Sequence, residues 1–163
     1  MNELKLISSK GIQRALDKVD RYRLLNDPVE AESICRDILE IEPDNQQAVI
    51  MFLLSLTDQF NHGVTGKKPK ELLPRIKDEF KREYYRGVIL EREGKAALSR
   101  GLPGGNHDAY EWLEEAMEAF LKADDLSPGD DDDSILRWNA CVRTIDKYRL
   151  VARPPEGREL PLE

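Results

Sequence analysis

Two stretches of the chain carry the same spacing of small, bulky and helix-ending residues: Ala31-x3-Cys35-x2-Ile38-x4-Pro43 and Ala116-x3-Phe120-x2-Ala123-x4-Pro128. Steps of three and four place the first three positions of each on one helix face. The proline then stops the helix, because it has no N–H and restricts the residue before it. Any fold for this chain has to form that helix-and-stop unit twice. The same period runs elsewhere. Ile12, Ala15, Leu16, Val19 and Tyr22 share a face, and no alternating strand pattern competes with it, so the expected fold class is all-α.

Punctuation divides the chain into helices. Asp27-Pro28-Val29-Glu30 is a helix start, with Asp27 as N-cap, Pro28 at the first helical position and Glu30 placed to reach back. Asp44 is the expected cap of a third helix over residues 45–60, which is apolar on all sides and so needs cover on more than one. Residues 62–69 form a loop by their glycines and proline, and a short helix follows over 70–77. Asp78 opens the longest element, 79–100, with Phe80, Tyr84, Gly87, Val88, Leu90, Gly94, Ala97 and Leu98 inward. A second breaker-rich loop, 101–106, precedes a helix over 109–125 capped by Asp108, and a last helix spans 134–150. The domain is thus residues 1–150, and the Pro-rich stretch 151–163 reads as a flexible tail.

Composition narrows the class of function. The chain has 163 residues, 40% hydrophobic and 35% charged, which fits one domain and is too apolar for disorder. No run approaches the roughly 20 apolar residues of a membrane span. The start Met1-Asn2-Glu3-Leu4-Lys5 carries no apolar leader core. Cys35 and Cys141 are too few for a disulfide scaffold and read as buried thiols in a reducing compartment, so a cytoplasmic location is expected. A net charge of −7 argues against nucleic-acid binding. That charge is uneven: residues 62–82 carry +4 and residues 107–134 carry −10, a pattern suited to steering a partner or a second copy of the chain.

The paired small, aromatic, small and proline positions resemble the second-helix half of a tetratricopeptide repeat. Gly87-Val88-Ile89-Leu90 fits the first-helix core of that repeat, and Tyr22 fits its last position. The two prolines stand 85 residues apart, two periods of about 34 with an insertion that the loop at 101–106 and longer flanking helices can hold. The resemblance covers roughly residues 12–148. It departs in the middle repeat, which has no clear proline, and in the first hairpin, which lacks the usual early Trp. It implies a right-handed superhelix of about three antiparallel helix pairs plus a C-terminal capping helix, the cap covering an apolar edge.

The resemblance also implies a concave groove lined by the first helix of each pair. Its frame assigns Gln13, Leu16, Asp20 and Arg23 to the first pair, and Gln47, Ile50, Leu54 and Thr57 to the second. The third receives Lys81, Tyr84, Val88 and Glu91, and the capping helix Ile135, Asn139, Val142 and Arg143. Either register of that helix keeps Asn139 at the groove. The apolar members form a centre, with Lys81 and Arg143 at the rim, suited to an amphipathic helix or an extended peptide. Leu16 and Asp20 stand where the chaperone-binding subclass has Lys and Asn, so the resemblance does not extend to that subclass. The alternatives are a groove covered by the 101–106 loop or the tail, and a self-assembling protein that forms homodimers through repeat edges.

Enzymatic constellations are absent from the sequence. Gly63-Val64-Thr65-Gly66-Lys67-Lys68 lacks phosphate-loop spacing and a preceding strand. His62 and His107 are far from either cysteine, and no spacing matches zinc. Asp130–Asp133 lacks the ligand alternation of a calcium loop and reads as acid before a helix N-terminus. The expectation is a non-enzymatic adaptor with no metal and no cofactor, whose partner is another protein or peptide rather than nucleic acid or membrane.

Overall fold

The computed structural model describes residues 1–155, and among them every regular element is helical. Seven α-helices follow in order among these residues: α1 Ile12–Leu24, α2 Pro28–Ile41, α3 Gln46–Thr57, α4 Lys67–Leu72, α5 Glu79–Arg100, α6 Gly105–Leu126 and α7 Asp133–Tyr148. Each packs chiefly on its neighbour in sequence, α1 on α2, α2 on α3, α3 on α4, α5 on α6 and α6 on α7. The short connections make the partners of α1–α2, α2–α3 and α5–α6 run in opposite directions. Smaller contacts join α1 to α3 and α3 to α5.

Local chemistry sets the ends. Asp27 accepts from the Glu30 N–H, with Pro28 behind it. Asp78 accepts from the Lys81 N–H at 2.9 Å, and α5 ends at Gly101, whose φ of +60° a side chain would strain. The acidic run acts locally, since the Asp131 carboxylate accepts from the Asp133 N–H at 2.9 Å, where α7 begins.

Four boundaries differ from the sequence reading. The cap of α3 is Asn45, which accepts from the Ala48 N–H at 2.9 Å, and not Asp44, which stays exposed one residue outside. That helix stops at Thr57, and residues 60–62 form a 3₁₀ turn. The short helix α4 starts at Lys67, with Pro69 in its first turn, where the missing N–H costs nothing, and Pro74 after its end. Finally, α6 begins at Gly105 behind a left-handed Gly104, so Asp108 sits in its first turn instead of capping it.

Two apolar cores result. The first joins α1–α4 to Ile89 and Ala96 of α5, and the second joins Val88, Leu90 and Ala97 of α5 to α6, α7 and Leu150. Leu54 and Tyr85 touch both. Across α4 and α6 the Lys70 ammonium lies 4.8 Å from the centre of the Trp112 ring. The α5–α6 interface is the most extensive. A Cβ at Gly87 would lie 2.5 Å from the Phe120 ring, and one at Gly94 would lie 3.0 Å from Leu113 and 3.2 Å from the Ala109 carbonyl. Small residues are the condition of that approach.

The chain after α7 is held. Leu150 is buried, the His107 ring nitrogen lies 3.0 Å from the Val151 carbonyl oxygen, and Arg153 pairs with Asp108 and Glu111. The expected tail therefore starts as a segment pinned on α6; residues 156–163 of it lie outside the described residues.

Two outcomes follow from this packing. Gly87→Ala should lower the unfolding free energy by about 1–3 kcal/mol through overpacking against Phe120. This is the net loss expected after the gain of roughly 1 kcal/mol in helix propensity. Urea unfolding followed by circular dichroism measures the balance, and an unchanged or raised midpoint would contradict the close approach. Burial pushes the thiols of the free Cys35 and Cys141 up to about 12. A disulfide thiol reagent at pH 8 should therefore leave the folded chain unlabelled and label two sites in urea; rapid labelling without urea would contradict this burial.

Candidate functional site

A cleft crosses α1, α3, α5 and α7, and it has two chemically different ends that meet at Asp20 and Arg23. The apolar end, of about 500 Å³, has Ile50, Met51, Leu54 and Tyr85 as its floor, with Gln47 and Lys81 beside them. Ile50, Leu54 and Tyr85 are half-buried because their other sides pack into the cores. The polar end, of about 560 Å³, is bounded by Asp58, Arg92, Lys95 and Arg137, with Leu24 and Phe60 at its edge.

Ion pairs hold the polar end in shape. Asp58, the residue that ends α3, accepts from Arg23 Nε of α1 at 2.7 Å and from Arg92 of α5. Glu91 is wholly buried and accepts from Lys95 and, at 3.2 Å, from Arg137 Nη1 of α7. Arg137 Nε also donates to the Tyr84 hydroxyl at 3.3 Å. Burial alone would lower the pKa of Arg137, but the Tyr84 hydrogen bond and the Glu91 charge outweigh it and leave the pKa raised. Four cations thus share two carboxylates, leaving two positive charges unmatched, of which Asp20 at the rim offsets one.

Of the groove candidates, Asp20 and Arg23 of α1, Gln47, Ile50, Leu54 and Thr57 of α3 and Lys81 of α5 line the cleft. Gln13 does not line it, and the other candidates lie elsewhere. Leu16 and Val88 are core residues, 3% and 0% exposed, so neither offers surface to a ligand. Tyr84 packs edge-on or tilted against Phe80, Tyr85 and Phe120, and Glu91 lies under Arg137. The cleft takes Tyr85 and Arg92 instead, one position on, which turns the helix by about 100°. The same correction applies to α7. Arg137 faces the cleft, whereas Ile135, Asn139, Val142 and Arg143 do not line it. Asn139 is two residues beyond Arg137 and so about 200° round the helix.

Asp58, Met51, Tyr85, Arg92, Lys95 and Arg137 were not singled out from the sequence. For Asp58 and Arg23 no sequence signal exists, since 35 residues separate them. For α5, consecutive Val88-Ile89-Leu90 are all buried, so its apolar stripe does not say which side is open.

The 101–106 loop and the described part of the tail do not cover the cleft; Arg153 keeps the tail on α6. Among the described residues no three His, Cys, Asp or Glu side chains stand close enough to hold a metal ion, and no helix is long and apolar enough to cross a membrane. No protein-family model, curated protein or solved structure matches the chain.

Asp58 is the joint of three helices, which makes its charge measurable. Asp58→Asn should cost about 1–2 kcal/mol in urea unfolding, since it removes a charged acceptor from two guanidinium groups and leaves them facing each other. The loss should shrink as salt rises. A neutral or stabilising effect at low salt would show that these pairs do not hold the cleft.

Proposed function

We propose that the chain is a non-enzymatic adaptor that holds a segment of another protein in this cleft, and that its helix pairs form a tetratricopeptide-like array. The observation that carries the reading is the two adjoining hollows that meet at Asp20 and Arg23, bounded by α1, α3, α5 and Arg137 of α7, one with an apolar floor and the other with polar walls. A partner helix or extended segment gains most by burying apolar anchors on such a floor, while polar walls fix its register. The contact of Gly87 with Phe120 supports the array, because it sets the small position of one helix against the aromatic position of the next. A cytoplasmic setting agrees with two free, buried thiols.

The second reading is self-assembly through repeat edges. Its support is the exposed apolar groups near the first pair, Leu4 and Leu6 before α1, Leu25 just after it and Val29 in the first turn of α2.

Affinity capture from source-cell lysate, with three baits, separates the readings. Ile50→Asp charges the floor, and Gln47→Arg with Lys81→Glu alters only the exposed rim; both baits are first checked for native helicity. The adaptor reading expects a protein held by the native chain, held about tenfold or more weakly by Ile50→Asp and measurably more weakly by the rim variant. If all three baits hold the same proteins, the cleft is not the site. A mass that grows with concentration in light scattering, unchanged by Ile50→Asp and lost when Leu4 and Leu6 become Ser, assigns the chain to self-assembly.

A further inference from the structure

We propose that the partner segment is acidic: it seats an apolar side chain on Ile50 and Leu54 and places neighbouring Asp or Glu side chains among Arg92, Lys95 and Arg137. The proposal rests on the peptide-binding reading above and adds the chemistry of the peptide. Its ground is charge. The chain carries −7 overall, yet the polar end of the cleft sets four cations against three carboxylates, Asp58, Glu91 and Asp20, a local excess of one positive charge. These cations are reachable, with side chains 27% exposed for Arg92, 34% for Arg137 and 50% for Lys95. They also have donors to spare. Arg92 gives Nη1 to Asp58, and Arg137 gives Nε and Nη1 to Tyr84 and Glu91, against five N–H donors on each guanidinium.

The distribution favours a peptide over a long polyanion. A nucleic acid would meet the −10 of residues 107–134 beyond the cleft, whereas one or two carboxylates on a bound segment respond to charges within a Debye length of about 10 Å. The apolar end adjoining the cations at Arg23 supplies the anchor that a free anion would leave unused. Asp58 then acts as an internal competitor. It occupies Arg23 and Arg92 when the cleft is empty, so a weakly acidic segment gains little and a well-placed carboxylate gains a shared guanidinium.

A display selection tests this. Random dodecapeptides are selected on the native chain, and the best binders are remade with a fluorophore for anisotropy. The native chain should enrich Asp and Glu within a few residues of Leu, Ile, Phe or Met. Glutamine in place of those acids should weaken binding about tenfold, as should Lys95→Gln or Arg92→Gln. Asp58→Asn should tighten it, although the same variant is less stable, an opposition that a purely structural role does not produce. Raised salt should weaken the acidic peptides and spare their glutamine versions. Binders that show no acidic enrichment yet are lost on Ile50→Asp overturn the acidic preference and leave the peptide cleft standing. Binders indifferent to Ile50→Asp, or no binders at all, overturn both. Exclusion of the peptides by a dimer that Lys95→Gln dissolves gives the cleft to a second copy and also overturns the proposal.

Discussion

The helix α5 is buried on two sides at once, and the rest of the molecule is arranged around that fact. Ile89 and Ala96 complete the core beneath α1–α4, while Val88, Leu90 and Ala97 complete the core with α6 and α7. A helix between two cores cannot be amphipathic in the usual sense, since two faces must be apolar and only the remaining strips can be charged. Where both cores close on it, over residues 87–97, little surface is left for charge, and Arg92 and Lys95 there supply cations to the cleft.

Much of the helical frame was legible in the sequence, because capping residues and prolines act over three or four positions. The start of α2 and both ends of α5 are of that kind: Asp27, Asp78 and Gly101 need nothing from the rest of the fold. The start of α6 was missed for the opposite reason. Gly105 lies 3.2 Å, by its absent Cβ, from the Ala97 carbonyl, so the helix begins where it can dock on α5 and not where a side chain can cap it. For the cleft, the α3 positions and the second half of α1 were readable from the helical period, whereas Leu16 of α1 and most of the α5 and α7 positions were not. Val88 has good groove spacing and is wholly buried, and Glu91 is a carboxylate at a groove position that α7 covers.

Glu91 explains how α7 is fixed. A wholly buried carboxylate is expensive to desolvate, and it persists only with partners that meet its oxygens. Lys95 comes from its own helix, so it imposes nothing on the fold. Arg137 comes from α7 and also donates to Tyr84, so it ties the last helix to two positions of α5 separated by seven residues. Such a pair adds less to stability than to register, because a slipped α7 would leave Glu91 half-satisfied. The apolar contacts of Trp138, Cys141 and Ile145 hold α7 to its core, and Arg137 selects how far along it sits.

The rotation of α5 follows from its glycines. Gly87 and Gly94 are seven residues apart, about two turns, and both must face α6, because any side chain there collides with Phe120 or Leu113. Tyr85 and Arg92 repeat that spacing two positions earlier, which puts them about 200° away, on the side turned toward α1 and α3. Closing the α5–α6 interface therefore aims Tyr85 at the floor of the cleft and Arg92 at Asp58 in one movement. Replacing either glycine would strain the interface that sets this rotation. On this geometry the shape of the core and the chemistry of the cleft are one property of a single helix.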